Sequence, residues 1–295
     1  MKSRYKLNEK IRRKERRTRY KLKYRKFVIL ITVILLLILI WGKFVEPNLL
    51  IINDYKVESN DLPNSFNGVR IVQFSDLHYG VTKEYKLEKV VKNINSLKPD
   101  IVLFTGDLVE QGYNLTDNDI KILVKNLSNI NAKLGKYCIY GNHDVKNDSY
   151  DDIMYDSKIN ILKNNYDTVY NKKNERILIF GLDDTLEGEP KISNIKSKNT
   201  NDINFKIVLV HEPDYINDFI YDYDISLVLA GHSHGSQINL PGSRLFLPRG
   251  SKKYYKEKYE VNNTPLYISN GAGNSGVNFR LFSTPSINLY RLYTN

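Results

Sequence analysis

The chain has 295 residues, a formal net charge of +11 and a single cysteine. One cysteine excludes a framework of intramolecular disulfides, so the folded part must be stabilised by a hydrophobic core. The positive charge is concentrated in one place, because residues 1–26 carry fourteen Lys or Arg and only two acidic residues. The rest of the chain is close to neutral, so the net charge describes a basic N-terminal tail and not the folded part.

An apolar segment, residues 27–45, follows the basic tail. It is almost unbroken Ile, Leu and Val up to Trp41, and its nineteen residues are enough to span a bilayer. A cleaved secretory signal is the alternative, but residues 41–47 offer no small-x-small cleavage site, which favours an uncleaved transmembrane anchor. The positive-inside rule then predicts a cytoplasmic tail and an extracytoplasmic remainder. The positive-inside rule accounts for the basic charge of the tail, so nucleic acid is not expected as a partner.

Residues 46–68 are mostly polar, contain two prolines and a glycine, and are predicted to form a connector. Within it, residues 51–57 are predicted as an extra edge strand. The apolar run at residues 49–52 is equally consistent with a contact to the membrane surface. Residues 69–295 are long enough to enclose one large core and are predicted to form a single domain.

Five apolar, β-rich segments each end in a short run that contains His, Asp or Asn. These runs begin at Ser75, Thr105, Gly141, His211 and Gly231, and they hold all five histidines of the chain. Ligand sites of open α/β sheets lie at the carboxyl ends of the strands, so the runs predict one shared site. The predicted strands are residues 69–74, 101–104, 137–140, 207–210 and 225–230.

The periodicity between the first strands is helical. Apolar residues at i, i+3, i+4 and i+7 spacing predict helices over residues 87–97 and 120–130, with Thr116 and Asp119 as a capping box for the second. This strand–helix–strand order predicts parallel pairing in the first half of the domain. After Gly235 the pattern changes to short strands, which we expect to form an antiparallel second sheet: residues 238–240, 244–247, 266–269 and 287–293.

The side chains of the five runs are typical of a centre with two metal ions. Carboxylate, amide and imidazole donors suit Mn, Fe, Zn, Co or Ni, and the lack of thiolate in the runs argues against a structural zinc site. Two cations about 3.5–4 Å apart need a carboxylate that bridges them. The sequence therefore predicts two divalent metal ions as cofactors.

In order and spacing, the runs resemble the signature of the calcineurin-like metallophosphoesterase family: Asp-x-His, Gly-Asp, Gly-Asn-His-Asp, a single His, and Gly-His-Ser-His. The resemblance covers roughly residues 69–235, and all five blocks are present. It implies an α/β fold, a four-layer sandwich of two mixed β-sheets flanked by helices, here preceded by one N-terminal transmembrane helix. It also implies hydrolysis of phosphoester bonds by a hydroxide that two metal ions share.

The family pattern also implies a role for each matching position. Seven metal ligands follow from it: Asp76, His78 and His234 for the first metal, Asn142, His211 and His232 for the second, and Asp107 as the bridge. Glycine at position 106 allows the close backbone approach that a bridging carboxylate needs.

His143 resembles the family histidine that lies beside the metals and is often assigned as the proton donor to the leaving oxygen. Asp144 is placed to orient its ring. A role of His143 as a further metal ligand is the alternative.

A weaker resemblance lies near the C-terminus. The Gly-rich residues 269–276, together with Arg280, resemble the closing loop of the membrane-associated phosphodiesterase branch of the family. Arg280 is therefore a candidate for a bidentate contact with the substrate phosphate, and a simple turn with a surface arginine is the alternative. Ser236 stands where the family usually has glycine, which is tolerated unless that position needs a positive φ.

The basic and aromatic residues 241–259 are consistent with a lip that meets lipid headgroups or an anionic substrate, and equally with a solvated loop.

Together these observations predict a single-pass, membrane-anchored phosphoesterase with its catalytic domain outside the cytoplasm. The closing-loop resemblance favours phosphodiesters, and the location favours a phospholipid or a wall polymer as the substrate. A nucleotide or nucleic-acid phosphodiesterase is the alternative among enzymes. A non-catalytic, membrane-tethered binding scaffold is the alternative from another class; the loss of a metal ligand would favour it, and all seven predicted ligands are present.

Overall fold

The structure is a computed structural model that describes residues 2–196, 200–240 and 247–295. The chain divides into two compact units, the first ending at Val45 and the second spanning Glu46–Asn295. The first unit consists of helix α1 (Lys2–Ile40), which continues into a π-helical turn, Trp41–Val45. Its most apolar 18-residue stretch has a mean hydropathy of 2.8, so the predicted N-terminal helix is confirmed as long and apolar enough to cross a membrane.

The second unit is built from two mixed β-sheets and three α-helices over the residues described. The helices are α2 (Glu84–Ser96), α3 (Asp117–Ser128) and α4 (Tyr150–Asp156). The strands are β1 (Ile51–Ser59), β2 (Arg70–Phe74), β3 (Ile101–Phe104), β4 (Gly135–Cys138), β5 (Asn160–Ile161), β6 (Asn165–Tyr170), β7 (Arg176–Gly181), β8 (Lys206–Val210), β9 (Leu227–Ala230), β10 (Lys258–Val261), β11 (Thr264–Ile268) and β12 (Ser286–Thr294).

The first sheet has the strand order β1-β12-β2-β3-β4-β5. Strands β2 to β5 are parallel, as the strand–helix–strand order predicted, and β12 is antiparallel to β2. Strand β1 lies at the edge and pairs in parallel with β12. This confirms the edge strand that was one of two interpretations of the connector.

The second sheet has the order β10-β11-β9-β8-β7-β6. Strands β7, β8, β9 and β11 are parallel, and only the two edge strands β6 and β10 pair in antiparallel fashion. Because the carboxyl ends of parallel strands share one edge of a sheet, β8 and β9 present the segments that follow them side by side.

Alternating side chains of the strands fill the space on both faces of each sheet. Ile71 lies in the buried cluster between the two sheets, and its neighbour Val72 lies in the cluster under α2, α3 and α4. On the outer face of the second sheet, Val208 packs against Phe219 and other residues near the 3₁₀ helix Pro213–Asp218. The result is the expected four-layer sandwich, with short 3₁₀ helices and loops as the layer outside the second sheet.

The predicted antiparallel arrangement of the C-terminal strands is wrong. Residues 266–269 belong to β11, which is parallel to β9, and residues 287–293 belong to β12 in the first sheet. Residues 238–240 form no strand and make a single bridge, between Ile238 and Leu281. The strand predicted at 244–247 falls mostly outside the described residues. Short apolar runs identify strands, but they do not say to which sheet a strand returns.

Candidate metal centre

The predicted ligands converge at the carboxyl ends of the strands. Asp76 and His78 follow β2, Asp107 follows β3, His211 follows β8, and the last two histidines follow β9. They form two groups in which the potential ligand atoms all lie within 4.8 Å of one another: Asp76, His78 and His234, and Asp107, His211 and His232. All six residues are buried.

In the first group the ring nitrogens face a carboxylate. The Nε2 atoms of His78 and His234 are 3.0 Å apart, and Asp76 Oδ1 lies 3.3 Å from His234 Nε2. Asp76 also accepts a hydrogen bond from the backbone N–H of His232, at 3.1 Å, so one carboxylate joins the segments after β2 and β9.

In the second group each imidazole has one nitrogen engaged by the protein and one that faces its partner. His211 Nδ1 donates to the Thr105 carbonyl at 2.6 Å, and His232 Nε2 donates to the Arg249 carbonyl at 2.8 Å. The other two nitrogens, His211 Nε2 and His232 Nδ1, lie 3.2 Å from each other. Histidines that bind a metal usually donate their other ring N–H to a carbonyl or carboxylate, which fixes the tautomer and the orientation of the ring.

The carboxylate of Asp107 lies between the two groups. Its Oδ2 atom is 3.2 Å from His211 Nε2 and 3.5 Å from His78 Nε2. A Cβ atom at Gly106 would lie 2.5 Å from the backbone nitrogen of Gly141 and 2.7 Å from His211 Nδ1. Only glycine permits this packing, so the close approach expected before the bridging position is present.

The ligand-bearing segments hold strained backbone conformations. Five of the predicted ligands have a positive φ in the left-handed region, between 45° and 65°: Asp76, His78, Asp107, His232 and His234. Non-glycine residues adopt such angles rarely, and they cluster at functional sites where the surroundings impose them. Ser236 also has a positive φ of 71°, so serine occupies the kind of position that was expected to favour glycine.

Burial and charge set the protonation of the ligands. Burial, together with the neighbouring His211, lowers the pKa of His232 to about 4. Burial also lowers the pKa of His234, with further contributions from His78 and Arg280. Burial opposes ionisation of Asp107, but the adjacent His211 outweighs it and holds the pKa of that carboxyl well below its usual range. His232 and His234 are thus held in the neutral form that binds a cation. Burial opposes protonation of His211, but Asp107 outweighs it and raises the pKa of His211, so a cation would displace a proton from that pair.

The donor set fits divalent metal ions on evidence from the structure itself. Asn142 Oδ1 is buried and has no hydrogen-bond partner among the described residues, which is costly for an amide oxygen unless something else binds it. His143, the next residue, donates its backbone N–H to Asp107 Oδ1 at 2.9 Å, so the segment that carries Asn142 lies against the Asp107 carboxylate. Imidazole nitrogen with carboxylate and amide oxygen suits Mn, Fe, Zn, Co or Ni.

His143 lies at the edge of the two groups, and its ring is 14 % exposed. The backbone N–H of Gln111 donates to His143 Nδ1 at 2.8 Å, so the neutral ring carries its proton on Nε2. Burial lowers the pKa of His143, which favours this neutral form near pH 7. An Nε2–H group beside the predicted ligands is placed to donate a hydrogen bond to an oxygen in the site.

Asp144 does not orient the ring of His143 in the way that the sequence predicted. Its buried carboxylate instead accepts bonds from the backbone N–H groups of Asp107, Leu108 and Gly141, at 2.6, 2.8 and 3.0 Å. Burial and the nearby charge of Asp107 raise the pKa of Asp144 to about 7. Asp144 therefore ties together the segments after β3 and β4.

Glu110 is a residue of the site that the sequence analysis missed. Its Oε2 atom lies 2.8 Å from His78 Nδ1 and 3.9 Å from His143 Nδ1, and its Oε1 atom accepts from the Gly276 backbone N–H at 3.0 Å. One carboxylate thus supports a predicted ligand and contacts the Gly-rich loop. A signal existed, since Glu110 is the acidic residue three positions after Asp107.

Arg280 does not face the cleft as expected of a substrate contact. It is fully buried, and its Nη1 atom donates to the carbonyls of Asn270, Ser283 and His234. Its Nε atom donates to the side chain of Asn274. The contacts assign Arg280 to the support of His234 and the Gly-rich loop.

A cavity of about 340 Å³ opens over the two groups. Its lining includes Asp107, His143 and His234 and three apolar residues, Ile238, Pro248 and Val277. Of the segment 241–259, residues 241–246 lie outside the described part. Within the rest, Asp214 accepts the backbone N–H groups of Lys252 and Lys253, which holds that stretch against the domain.

Known proteins resemble this chain over most of its length. Residues 69–236 match the family model described as calcineurin-like phosphoesterase. The uncharacterized metallophosphoesterase YkuE of Bacillus subtilis is 33% identical over 85% of this chain and 88% of its own. A UDP-2,3-diacylglucosamine pyrophosphatase of Chlamydia muridarum is 29% identical over 85% and 92%, and a transmembrane protein with a metallophosphoesterase domain from Danio rerio is 29% identical over 79% and 55%. The chain therefore belongs to the calcineurin-like phosphoesterase family and is a hydrolase of phosphoester bonds.

Proposed function

We propose that this chain is a two-metal phosphodiesterase, anchored in a membrane by its N-terminal helix, that acts on an amphiphilic substrate of the cell envelope. The position of Asp107 carries the proposal, because one carboxylate oxygen lies 3.2 and 3.5 Å from histidines of two separate groups. That arrangement suits a bridge between two cations.

The residues divide the work between them. Asp76, His78 and His234 would hold one divalent ion, Asn142, His211 and His232 the other, and Asp107 both. When bound, the ions would lower the pKa of a water molecule and stabilise negative charge on the phosphoryl oxygens. In its neutral tautomer, which the Gln111 N–H selects, His143 would donate a hydrogen bond from Nε2 to the leaving oxygen. It would transfer that proton only from the imidazolium form, in which Nδ1 is also protonated and no longer accepts from Gln111.

Apolar residues in the lining of the cavity support an amphiphilic substrate. Ile238, Pro248 and Val277 line the cavity, and Val277 is 58% exposed. A phosphodiester with a lipid or other apolar substituent would place its phosphate over the predicted ligands and its apolar group against these three side chains. A free nucleotide would leave the three side chains in contact with water, which disfavours the nucleotide alternative.

The apolar helix of the first unit and the charge of the tail support the proposed location. Helix α1 carries the fourteen basic residues in its first part, and the part that follows them is apolar enough to span a membrane. The positive-inside rule places that tail in the cytoplasm and the catalytic domain outside, and the helix crosses once.

A pyrophosphate bond in a lipid-linked substrate is the second candidate. It is favoured by the similarity, over 85% of this chain, to a UDP-2,3-diacylglucosamine pyrophosphatase. The metal centre proposed for this chain would allow hydrolysis of either a phosphodiester or a pyrophosphate bond.

Full-length protein in detergent, loaded with Mn²⁺, separates these candidates. We expect hydrolysis of a phospholipid diester in mixed micelles to exceed hydrolysis of a short-chain diester of the same headgroup. Preference for a lipid-linked pyrophosphate would select the second candidate. Equal rates on lipid and water-soluble nucleotide substrates would contradict an amphiphilic substrate.

A further inference from the structure

The metal ligand His234 is supported by a network that ends on Glu46. Glu46 is the first residue of the second unit and is 3% exposed. Its carboxylate accepts the backbone N–H groups of Ser283 at 2.7 Å and Phe282 at 3.0 Å, and Thr284 Oγ1 lies 3.4 Å away. Two successive N–H groups that point at one carboxylate form a small anion-binding site in the backbone.

The backbone that Glu46 holds is strained. Phe282 has a positive φ of 56°, although its side chain is 58% exposed and gains little from packing. A bulky residue adopts this conformation only where the surroundings impose it. The two bonds to Glu46 hold the backbone N–H groups of Phe282 and Ser283, so loss of the carboxylate would remove part of what keeps residues 282–283 in this conformation.

Ser283 transmits that position to His234. Its Oγ donates to the His234 carbonyl at 2.6 Å, and its own carbonyl accepts from Arg280 Nη1 at 3.0 Å. Arg280 also donates to the His234 carbonyl, at 3.3 Å, and its Nη2 atom lies 3.2 Å from His234 Nδ1. The backbone of His234 therefore rests on Ser283, which Glu46 holds directly, and its ring contacts Arg280, which is linked to Glu46 through the Ser283 carbonyl.

We propose that Glu46 is a positioning residue for the metal centre, which it stabilises by holding Ser283 and Arg280 against His234. The inference rests on the proposed role of His234 as a metal ligand. It gives a function to a residue that the sequence places in a connector. It also implies that a soluble form of the domain must begin no later than Glu46 to keep its full metal affinity.

The test compares full-length variants in detergent by titration of the metal-free protein with Mn²⁺. We expect Glu46→Ala to weaken one of two Mn²⁺ sites by about 10- to 100-fold, which is typical of lost outer support, and to leave the other nearly unchanged. Glu46→Gln keeps one acceptor oxygen and should give an intermediate affinity. Glu58→Ala removes a carboxylate from the exposed end of β1, where Glu58 pairs with Lys56, and is the matched control with wild-type binding.

Activity supplies a second measurement. For Glu46→Ala, turnover at limiting Mn²⁺ should fall and should recover at saturating Mn²⁺. If Glu46 had a purely structural role, the substitution would lower only the thermal midpoint. If Glu46→Ala does not fold, Ser283→Ala removes only the hydroxyl bond to His234 and should still weaken one site. Wild-type affinity at both sites in either folded variant would overturn the inference.

A wild-type chain that binds two Mn²⁺ but hydrolyses no phosphoester would instead contradict the proposed function. The Mn²⁺ titration of the variants would still test the role of Glu46 in that case.

Discussion

The side chain of His143 provides the sharpest test at the scale of single residues. If its Nε2–H protonates the leaving oxygen, His143→Gln should slow the hydrolysis of alkyl esters by about 10²- to 10⁴-fold. Nitrophenyl esters should be much less affected, because their leaving oxygen needs little protonation. Rates measured over a series of leaving groups, with the metal content of each sample, decide the point. An equal loss for all esters together with loss of metal would make His143 a ligand.

Lys86 is a buried charge without a hydrogen-bond partner for its Nζ atom among the described residues. Burial, with the nearby charges of Arg280 and Lys89, lowers its pKa to about 7. The unfolded chain holds this proton up to about pH 10.4, so it binds more protons than the folded chain between the two values, and stability should rise with pH across that range. The rise should be on the order of 4–5 kcal/mol, since the two pKa values lie about 3.4 units apart and one unit corresponds to about 1.4 kcal/mol.

The comparison with Lys86→Met tests this. The variant should be more stable than the wild type at pH 7 and should lose the rise in stability between pH 7 and 10. Lys92→Met, on the exposed face of the same helix, should keep the wild-type profile. Unfolding by denaturant at several pH values measures both, and identical profiles for Lys86→Met and wild type would contradict the lowered pKa.

The residues that sequence analysis missed or misplaced act through contacts that only the fold creates. Motif spacing brought the predicted ligands together because each one directly follows a strand. The spacing does not reveal Glu110 beside His78, since that contact depends on how the segments after β2 and β3 pair with each other. It does not reveal that Arg280 faces inward. The sequence around an arginine near a Gly-rich loop does not show whether the side chain binds backbone carbonyls, as here, or a phosphate.

At the scale of elements, helix α3 begins with the capping box that the sequence predicted. Thr116 Oγ1 accepts from the Asp119 backbone N–H at 3.2 Å, and Asp119 Oδ2 accepts from the Thr116 backbone N–H at 3.0 Å. Thr116→Ala should cost about 1 kcal/mol and lower the thermal midpoint by about 2–4 °C. Hydrolysis should stay at the wild-type rate.

Ser128→Ala at the other end of α3 is the control for Thr116→Ala. It removes a bond to the Val124 carbonyl inside the helix and should leave the midpoint nearly unchanged. Equal midpoints for Thr116→Ala and wild type in a thermal scan would show that the cap contributes nothing measurable.

Strand order was the part of the fold that local patterns could not supply. Helices α2 and α3 follow from apolar spacing and caps, and β2, β3 and β4 from their position between helices. Strand β12 is predicted as a strand by its composition, yet it lies between β1 and β2, far from the strands that precede it in sequence. A short apolar run does not specify so distant a partner, because strand pairing depends on side-chain packing and burial in the complete fold.

At the scale of the whole molecule, the proposed topology makes a prediction about accessibility. Transfer of fourteen basic residues across a membrane against an inside-negative potential is unfavourable, whereas the nearly neutral domain can be exported. Protease added to intact cells or protoplasts should digest the catalytic domain and spare an epitope fused at residue 1. Protection of the domain with digestion of the epitope would place the active site in the cytoplasm.

The central claim is that Asp107 joins two metal ions that hydrolyse a phosphoester. The most direct measurement is the metal content and diester turnover of purified full-length protein, wild type against Asp107→Asn, with Asp117→Asn on the exposed first turn of α3 as control. The account predicts two ions per chain and turnover in the wild type and the control. In Asp107→Asn it predicts loss of tight binding at both sites and a fall in turnover of at least about 100-fold, with the fold retained. Two ions retained and near-normal turnover in Asp107→Asn would contradict the account.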